Sequence, residues 1–295
     1  MSITAPMVKE LRERTGAGMM ECKRALVEAG GNLDAAAEAL RAAGAAKADK
    51  KASRVAADGR VVIQVNGSKA VIAEVNSETD FVAKDENFIG FADAVAAASL
   101  ASGVTDAVAL TGVALGDATV EVARTELVQK VGENISVRRA EIIANDGPIG
   151  VYTHGARIGA VVALDGGDEI LARDIAMHVA ATNPTCIDES GVPAEMLETE
   201  KRIFTEQAVE SGKPPEIIEK MIGGRINKFL KEITLVGQPF VKDDKQTIGQ
   251  LLKAAGASVA SFTRYEVGEG IEKKVENFAD EVMKQIADAK PPKGA

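Results

Sequence analysis

Val61-Val62-Ile63-Gln64-Val65-Asn66-Gly67-Ser68-Lys69-Ala70-Val71-Ile72-Ala73-Glu74-Val75 is the stretch from which the architecture can be worked out. Val61, Ile63 and Val65 alternate with their neighbours, which is the two-residue period of a strand. Asn66-Gly67 follows, and Ala70, Ile72 and Val75 resume the apolar pattern. Asn-Gly accommodates the positive backbone angles of a tight hairpin turn, so two antiparallel strands are predicted. Asn66-Gly67-Ser68 also fits a glycosylation sequon, but with no secretory signal the turn reading stands. Downstream, a loop over residues 76–87, a helix over 88–100, a second helix over 120–131 and a strand over 135–143 are expected.

That order of strand, strand, helix, helix, strand repeats. Gly150-Val151-Tyr152-Thr153-His154-Gly155-Ala156-Arg157-Ile158-Gly159 aligns with the first hairpin at an offset of 88, which pairs Gly155 with Gly67. Phe91-Ala92-Asp93-Ala94-Val95 aligns with Ile175-Ala176-Met177-His178-Val179 at an offset of 84. The first copy should therefore hold about four extra residues, within the 76–87 loop. A helix over 248–255 and a strand over 258–267 complete the second copy. Residues 187–234 interrupt it. Two helices, 194–211 and 215–233, flank the turn Gly212-Lys213-Pro214-Pro215, and Ile218, Ile222, Ile226, Phe229 and Ile233 make a helical stripe. So short a turn implies an antiparallel helical hairpin protruding from the sheet domain.

The remaining parts are helical. Leu11, Met19, Cys22, Leu26, Leu33, Ala36 and Leu40 recur at helical spacing, broken by Gly16-Ala17-Gly18 and Gly30-Gly31-Asn32, so three short helices open the chain. Residues 47–54, basic and Ala-rich, read as a linker. Val275, Phe278, Val282 and Ile286 predict a last helix. The expected fold class is α+β: a three-helix N-terminal domain with linker (1–54), two related subdomains with antiparallel sheets (55–145, then 146–186 with 235–269), the inserted hairpin (187–234) and a C-terminal helical module (270–295).

Composition narrows the function. The 295 residues carry 35 Lys and Arg against 44 Asp and Glu, a net charge of −9, and only 3% are aromatic. Nucleic-acid binding needs a clustered basic footprint, with stacking rings for single strands, so direct nucleic-acid contact is not expected. The charge is uneven: residues 2–54 hold ten basic and seven acidic side chains, about +3, which leaves about −12 for the rest. Two cysteines, Cys22 and Cys186, show neither disulfide nor zinc spacing and fit a reducing compartment. No apolar run reaches the roughly 18 residues of a membrane span, and residues 1–10 lack a signal-peptide core, so a soluble cytoplasmic protein is expected. No phosphate loop, dinucleotide fingerprint, metal-ligand spacing or nucleophile–base pair is found, so neither a cofactor nor bond-making chemistry is expected. His178 reads as a packed helix residue. His154, in a hairpin turn before Gly155, is either a tolerated turn residue or an exposed contact. One loop stands out: Ser77-Glu78-Thr79-Asp80-Phe81-Val82-Ala83-Lys84-Asp85 sets Phe and Val among charges, in the stretch the second copy lacks. Phe81 either folds back on the sheet or serves as an exposed anchor beside a carboxylate. Burying such an anchor in a partner could be worth about 2 kcal/mol or more.

Here the residues carry a resemblance. The run from Lys9-Glu10-Leu11 through Thr15-Gly16-Ala17-Gly18-Met19-Met20-Glu21-Cys22-Lys23 resembles the opening of the bacterial elongation factor Ts family. Thr79-Asp80-Phe81-Val82-Ala83-Lys84 resembles its signature loop. Val131-Gly132-Glu133-Asn134-Ile135, His154-Gly155-Ala156-Arg157-Ile158-Gly159, Ser211-Gly212-Lys213-Pro214, Gly237-Gln238-Pro239-Phe240 and Glu266-Val267-Gly268-Glu269-Gly270-Ile271 match in order. The resemblance implies a guanine-nucleotide exchange factor for elongation factor Tu. It implies that Asp80 and Phe81, flanked by Thr79 and Val82, enter the partner near its nucleotide and dislodge Mg²⁺. It further implies partner contacts at Met19, Met20 and Lys23, at Val131 and Gly132, and at His154, and dimerisation through the hairpin. Two rivals stay open: an interaction module without exchange activity, whose first three helices resemble a ubiquitin-associated domain, and a small-molecule enzyme using Asp80 or His154.

Overall fold

The computed structural model describes residues 3–210 and 214–272. The chain opens with α1 (Ala5–Thr15), α2 (Met19–Glu28) and α3 (Leu33–Lys51). Leu11, Cys22, Leu26, Ala36 and Leu40 close into one apolar core. Asn32 caps α3, its side chain accepting from the backbone N–H groups of Asp34 and Ala35. The linker expected over 47–54 is corrected, because α3 continues to Lys51. Ala36, Leu40, Gly44 and Ala48 are all buried, a four-residue spacing that favours helix, and Lys47 bonds across to Glu21 of α2.

The hairpin is formed by β1 (Asp58–Asn66) and β2 (Lys69–Ser77), antiparallel with Asn66 opposite Lys69 and Gly67 at φ +58. The short α4 (Asp80–Ala83) and α5 (Glu86–Ser102) follow. Then come α6 (Ala107–Leu110), a small ladder of β3 (Ala114–Leu115) and β4 (Ala118–Thr119), and α7 (Val120–Val131). Strand β5 (Ile135–Ala144) pairs antiparallel with the free edge of β2, giving the sheet order β1-β2-β5.

The second copy repeats this plan. β6 (Ile149–His154) and β7 (Ile158–Asp165) form the hairpin, α8 (Glu169–Thr182) follows, and β10 (Ser258–Glu266) pairs with β7, giving β6-β7-β10. Gly155 sits at φ +59, the counterpart of Gly67. The buried residues of the two helices correspond at an offset of 84: Phe88 with Ala172, Phe91 with Ile175, Ala92 with Ala176, Val95 with Val179, Ala96 with Ala180. The extra length of the first copy is five residues rather than four. Eight residues (78–85) separate β2 from α5, whereas three (166–168) separate β7 from α8. The offset changes by one inside the second turn, because His154 pairs with Ile158 across a three-residue loop. The sequence pattern did not reveal that each copy also carries a small ladder before its second helix. In the second copy this is β8 (Pro239–Phe240) with β9 (Asp243–Thr247), leading into α11 (Ile248–Ala254).

The two sheets pack face to face. Val61, Ile72 and Ile143 meet Val161, Ala163 and Tyr265. The outer faces are covered by α5 and α7 on one side and by α8 and α11 on the other. The result is a four-layer α/β/β/α core of the α+β class. The central strands β2 and β7 are buried on both faces, so Ala70–Val75 and Ala160–Leu164 are near-continuous buried runs. Gly159 marks the closest approach of the sheets, since a Cβ there would lie 2.6 Å from Val61 Cγ1.

Helices α9 (Ala194–Glu210) and α10 (Pro215–Ile233) form the insertion. Phe204 meets Phe229 edge-on, with centroids 6.4 Å apart, and Arg225 lies over Phe204. The chain leaves and returns side by side, for Thr185 N–H donates to Ile233 O and Leu235 N–H to Cys186 O, each at 2.8 Å. Most of the helix expected after residue 270 lies outside the described residues, as does the centre of the hairpin turn. Among the described residues, no helix is long and apolar enough to cross a membrane.

Candidate functional site

Strand β2 ends at Ser77, and the chain must turn before α5. Ser77 Oγ donates to Thr79 O at 2.9 Å. Thr79 Oγ1 then accepts from Val82 N–H at 3.4 Å and caps the single turn of α4. Ala83 of this turn is buried and Val82 packs against the first core. Residues two apart on a helix point about 200° from each other. With Ala83 inward, Phe81 must therefore point out, and it is 81% exposed. Of the two readings open from sequence, folding back on the sheet is the one the structure overturns. Asp80 is exposed beside it, with Oδ2 2.6 Å from Lys84 Nζ. That hydrogen bond and charge hold the Asp80 carboxyl below its ordinary range. Both partners are largely in water, so the pair is weak and easily exchanged for another.

The turn does not stand alone. Phe81 and Val82 share an open cleft with Val131 and Lys130 from α7 and with Arg12 and Gly16 from the end of α1. Lys130 Nζ donates to Asn87 Oδ1 across it. Gly132 ends α7 at φ +84, exposed, and its carbonyl accepts from Lys51 Nζ. The cleft thus joins the predicted loop residues to Val131, with Gly132 adjoining. Met19, Met20 and Lys23 lie elsewhere, on the first turn of α2. They form an exposed face, the methionines 61% and 73% exposed, while Cys22, Ala25 and Leu26 face inward.

His154 is at a third place. It is the last residue of β6 rather than part of the turn itself, and it is exposed. Tyr152, two residues earlier on the same face, stacks near it with centroids 6.5 Å apart, and Tyr152 Oη is 3.4 Å from His154 Nδ1. The strand's two-residue period could have singled out Tyr152 from sequence. His178 is fully buried, its Nε2 2.9 Å from Gln238 Oε1 and its Nδ1 accepting from Val241 N–H at 3.2 Å. Among the described residues, no group of three His, Cys, Asp or Glu side chains is placed to hold a metal ion. The residues singled out from sequence are thus spread over both copies and the first helices: Met19, Met20, Lys23, Asp80, Phe81, Gly132 and His154 are exposed, and Thr79, Val82 and Val131 are partly buried.

The family model described as Elongation factor TS matches residues 78–269. Relatives named "Elongation factor Ts" include that of Thioalkalivibrio sulfidiphilus, 59% identical over 293 residues, covering 98% of this chain and 100% of the relative. That of Methylococcus capsulatus is 60% identical over 290 residues, 97% of this chain and 99% of the relative. That of Legionella pneumophila strain Philadelphia 1 is 58% identical over 288 residues, again 97% and 99%. Matched over most of its length by the family model, and nearly end to end by these relatives, the chain belongs to the elongation factor Ts family of translation elongation factors.

Proposed function

We propose that this chain is a guanine-nucleotide exchange factor: it binds elongation factor Tu carrying GDP and promotes GDP release, so that GTP can reload. The observation that carries the reading is Phe81, a large apolar ring held 81% exposed on a capped turn beside the exposed carboxylate of Asp80, which is paired with Lys84. Fully burying such a ring in a partner is worth about 1.5–3 kcal/mol. In this reading Thr79, Asp80, Phe81 and Val82 enter the partner near its nucleotide and disturb Mg²⁺ and phosphate binding. Mg²⁺ in such sites is held by few protein oxygens and by the phosphates, so a small displacement of its ligands weakens nucleotide binding strongly. Met19, Met20, Lys23, Val131, Gly132 and His154 supply the docking contacts. Spread over three parts of the molecule, they would orient the turn on the partner.

Thermodynamics sets the form of the activity. A factor that favours the nucleotide-free partner weakens GDP binding by the same free energy by which GDP weakens its own. Each 1.4 kcal/mol of that coupling is about tenfold in affinity. The chain then needs neither a nucleotide site nor a cofactor of its own, and makes no bonds. The proposal includes a cytoplasmic location, no direct contact with nucleic acid, and the modular division at residues 54, 145, 186, 234 and 269. It also includes a homodimer through α9 and α10, favoured by the exposed Met196, Val209 and Ile217 on those helices.

The test is to mix the chain with elongation factor Tu preloaded with a fluorescent GDP, measuring complex formation and release together. Accelerated release is expected. Binding with unaccelerated release would instead establish the interaction module without exchange activity.

A further inference from the structure

We propose that Glu133 is a positioning residue, whose carboxylate holds the Thr79–Ala83 turn in the conformation that presents Phe81. This deepens the exchange reading and rests on it. A turn of four residues is too short to be a stable helix by itself, because nucleation fixes several dihedrals for a single hydrogen bond. Exposing a Phe adds no compensating burial. Ala83 and Val82 anchor its inner side on the core, and the contacts around Thr79 fix its first residue.

Both oxygens of Glu133 are spent on Thr79. Oε2 accepts from Thr79 N–H at 3.0 Å, and Oε1 accepts from the Thr79 hydroxyl at 2.7 Å. With its proton donated to Glu133, the Thr79 hydroxyl keeps its lone pairs for Val82 N–H and so caps α4. The neighbouring residues repeat the link in the opposite sense, since Glu78 Oε1 accepts from Asn134 N–H at 2.6 Å. Glu78 and Thr79 are thus clasped to Glu133 and Asn134 across 54 and 56 positions of sequence. Glu133 is only partly buried, so its bonds to Thr79 act on the turn rather than on the central packing.

The internal repeat supplies a comparison. At the equivalent place after α11, Gly256 has a positive φ of +61, matching Gly132 at +84, but the next residue is Ala257 rather than a carboxylate. That copy also lacks the turn, having only residues 166–168 between strand and helix. The carboxylate and the turn it holds occur together in one copy and are absent together from the other.

The test uses the full chain with Glu133→Ala and Glu133→Gln, their folding checked by thermal unfolding. In the free protein, hydrogen exchange at the amides of Thr79 and Val82 is expected to quicken at least tenfold in Glu133→Ala, and less in Glu133→Gln, which retains one acceptor. With elongation factor Tu and fluorescent GDP, Glu133→Ala is expected to lower the saturating release rate about tenfold and to shift half-saturation less than threefold. In a Phe81→Ala background the same substitution should have no further effect, because the residue acts through the ring it presents. Unchanged amide exchange at Thr79 and Val82, or a full additional loss in the Phe81→Ala background, would overturn the proposal. If the unsubstituted chain fails to accelerate release, the exchange reading fails, and amide exchange still decides whether Glu133 holds the turn.

Discussion

At the scale of single residues, two side chains stand out for where they lie. Phe81 is a large ring left 81% exposed. Glu74 is a carboxylate fully buried on the central strand β2. Burial pushes its carboxyl up. The N–H of Gly268, with Asn76, Arg138 and Arg139, more than offsets this and holds it below its ordinary range. Arg138 Nη1 lies 2.9 Å from Oε1, Arg139 Nε 2.6 Å from Oε2, and Gly268 N–H donates at 2.8 Å, so the group ties the end of β10 to the first sheet. Glu74→Gln should cost about 2 kcal/mol by chemical denaturation. That is below the roughly 3–5 kcal/mol of breaking a fully buried pair, because both guanidiniums keep part of their surface in water. A lowered carboxyl pKa contributes stability above the unfolded value, lost as pH falls through the folded one. The difference between wild type and Glu74→Gln should therefore shrink as pH falls below about 4.5; a difference independent of pH would show that the charge contributes nothing. His154→Ala, within the proposed docking surface, should weaken exchange at low factor concentration and leave the saturated release rate unchanged. An unchanged concentration dependence would make His154 a tolerated strand-end residue.

At the scale of elements, the buried His178 fastens the β8–β9 ladder to α8. Its lowered pKa, caused by burial against a weaker opposing bond from Gln238, keeps the ring neutral, with Nδ1 free to accept from Val241 N–H. His178→Phe should cost about 1–2 kcal/mol, since it removes the acceptor of Val241 N–H and one of the two donors to Gln238 Oε1, which keeps Thr182. The amides of residues 239–247 should lose hydrogen-exchange protection before the rest; uniform loss would show that the ring supports the whole core and not this ladder. The same ladders are not legible in the sequence. The long hairpins were legible because an Asn-Gly turn and an 88-residue offset both speak to them. Strands as short as Ala114–Leu115 and Ala118–Thr119 have no room for a period. Residues 47–51 have a composition that suits linker and helix equally, and only the inward faces of Gly44 and Ala48 decide it. In the site, an apolar residue in a charged loop was visible, but its direction depended on Ala83 being buried. The Glu133–Thr79 pair spans 54 positions and leaves no local pattern.

At the scale of the whole molecule, a core of two stacked copies carries the Phe81 turn on one copy and His154 on the other, with a basic helical segment alongside. The contrast of about +3 in residues 2–54 with about −12 elsewhere should steer encounter. Raising ionic strength from about 0.05 to 0.3 M, which shortens the screening length, should lower the second-order rate of exchange several-fold. The saturated rate should stay the same; a second-order rate insensitive to salt would remove any steering role from that segment. In the proposed mechanism this scaffold delivers one exposed ring into a partner's nucleotide site. Stopped-flow release of fluorescent GDP from elongation factor Tu, at saturating wild type and Phe81→Ala with complex affinity measured alongside, tests it most directly. A release rate about tenfold lower is expected for Phe81→Ala, with a smaller loss of affinity. Equal saturated release rates for the two proteins would contradict it.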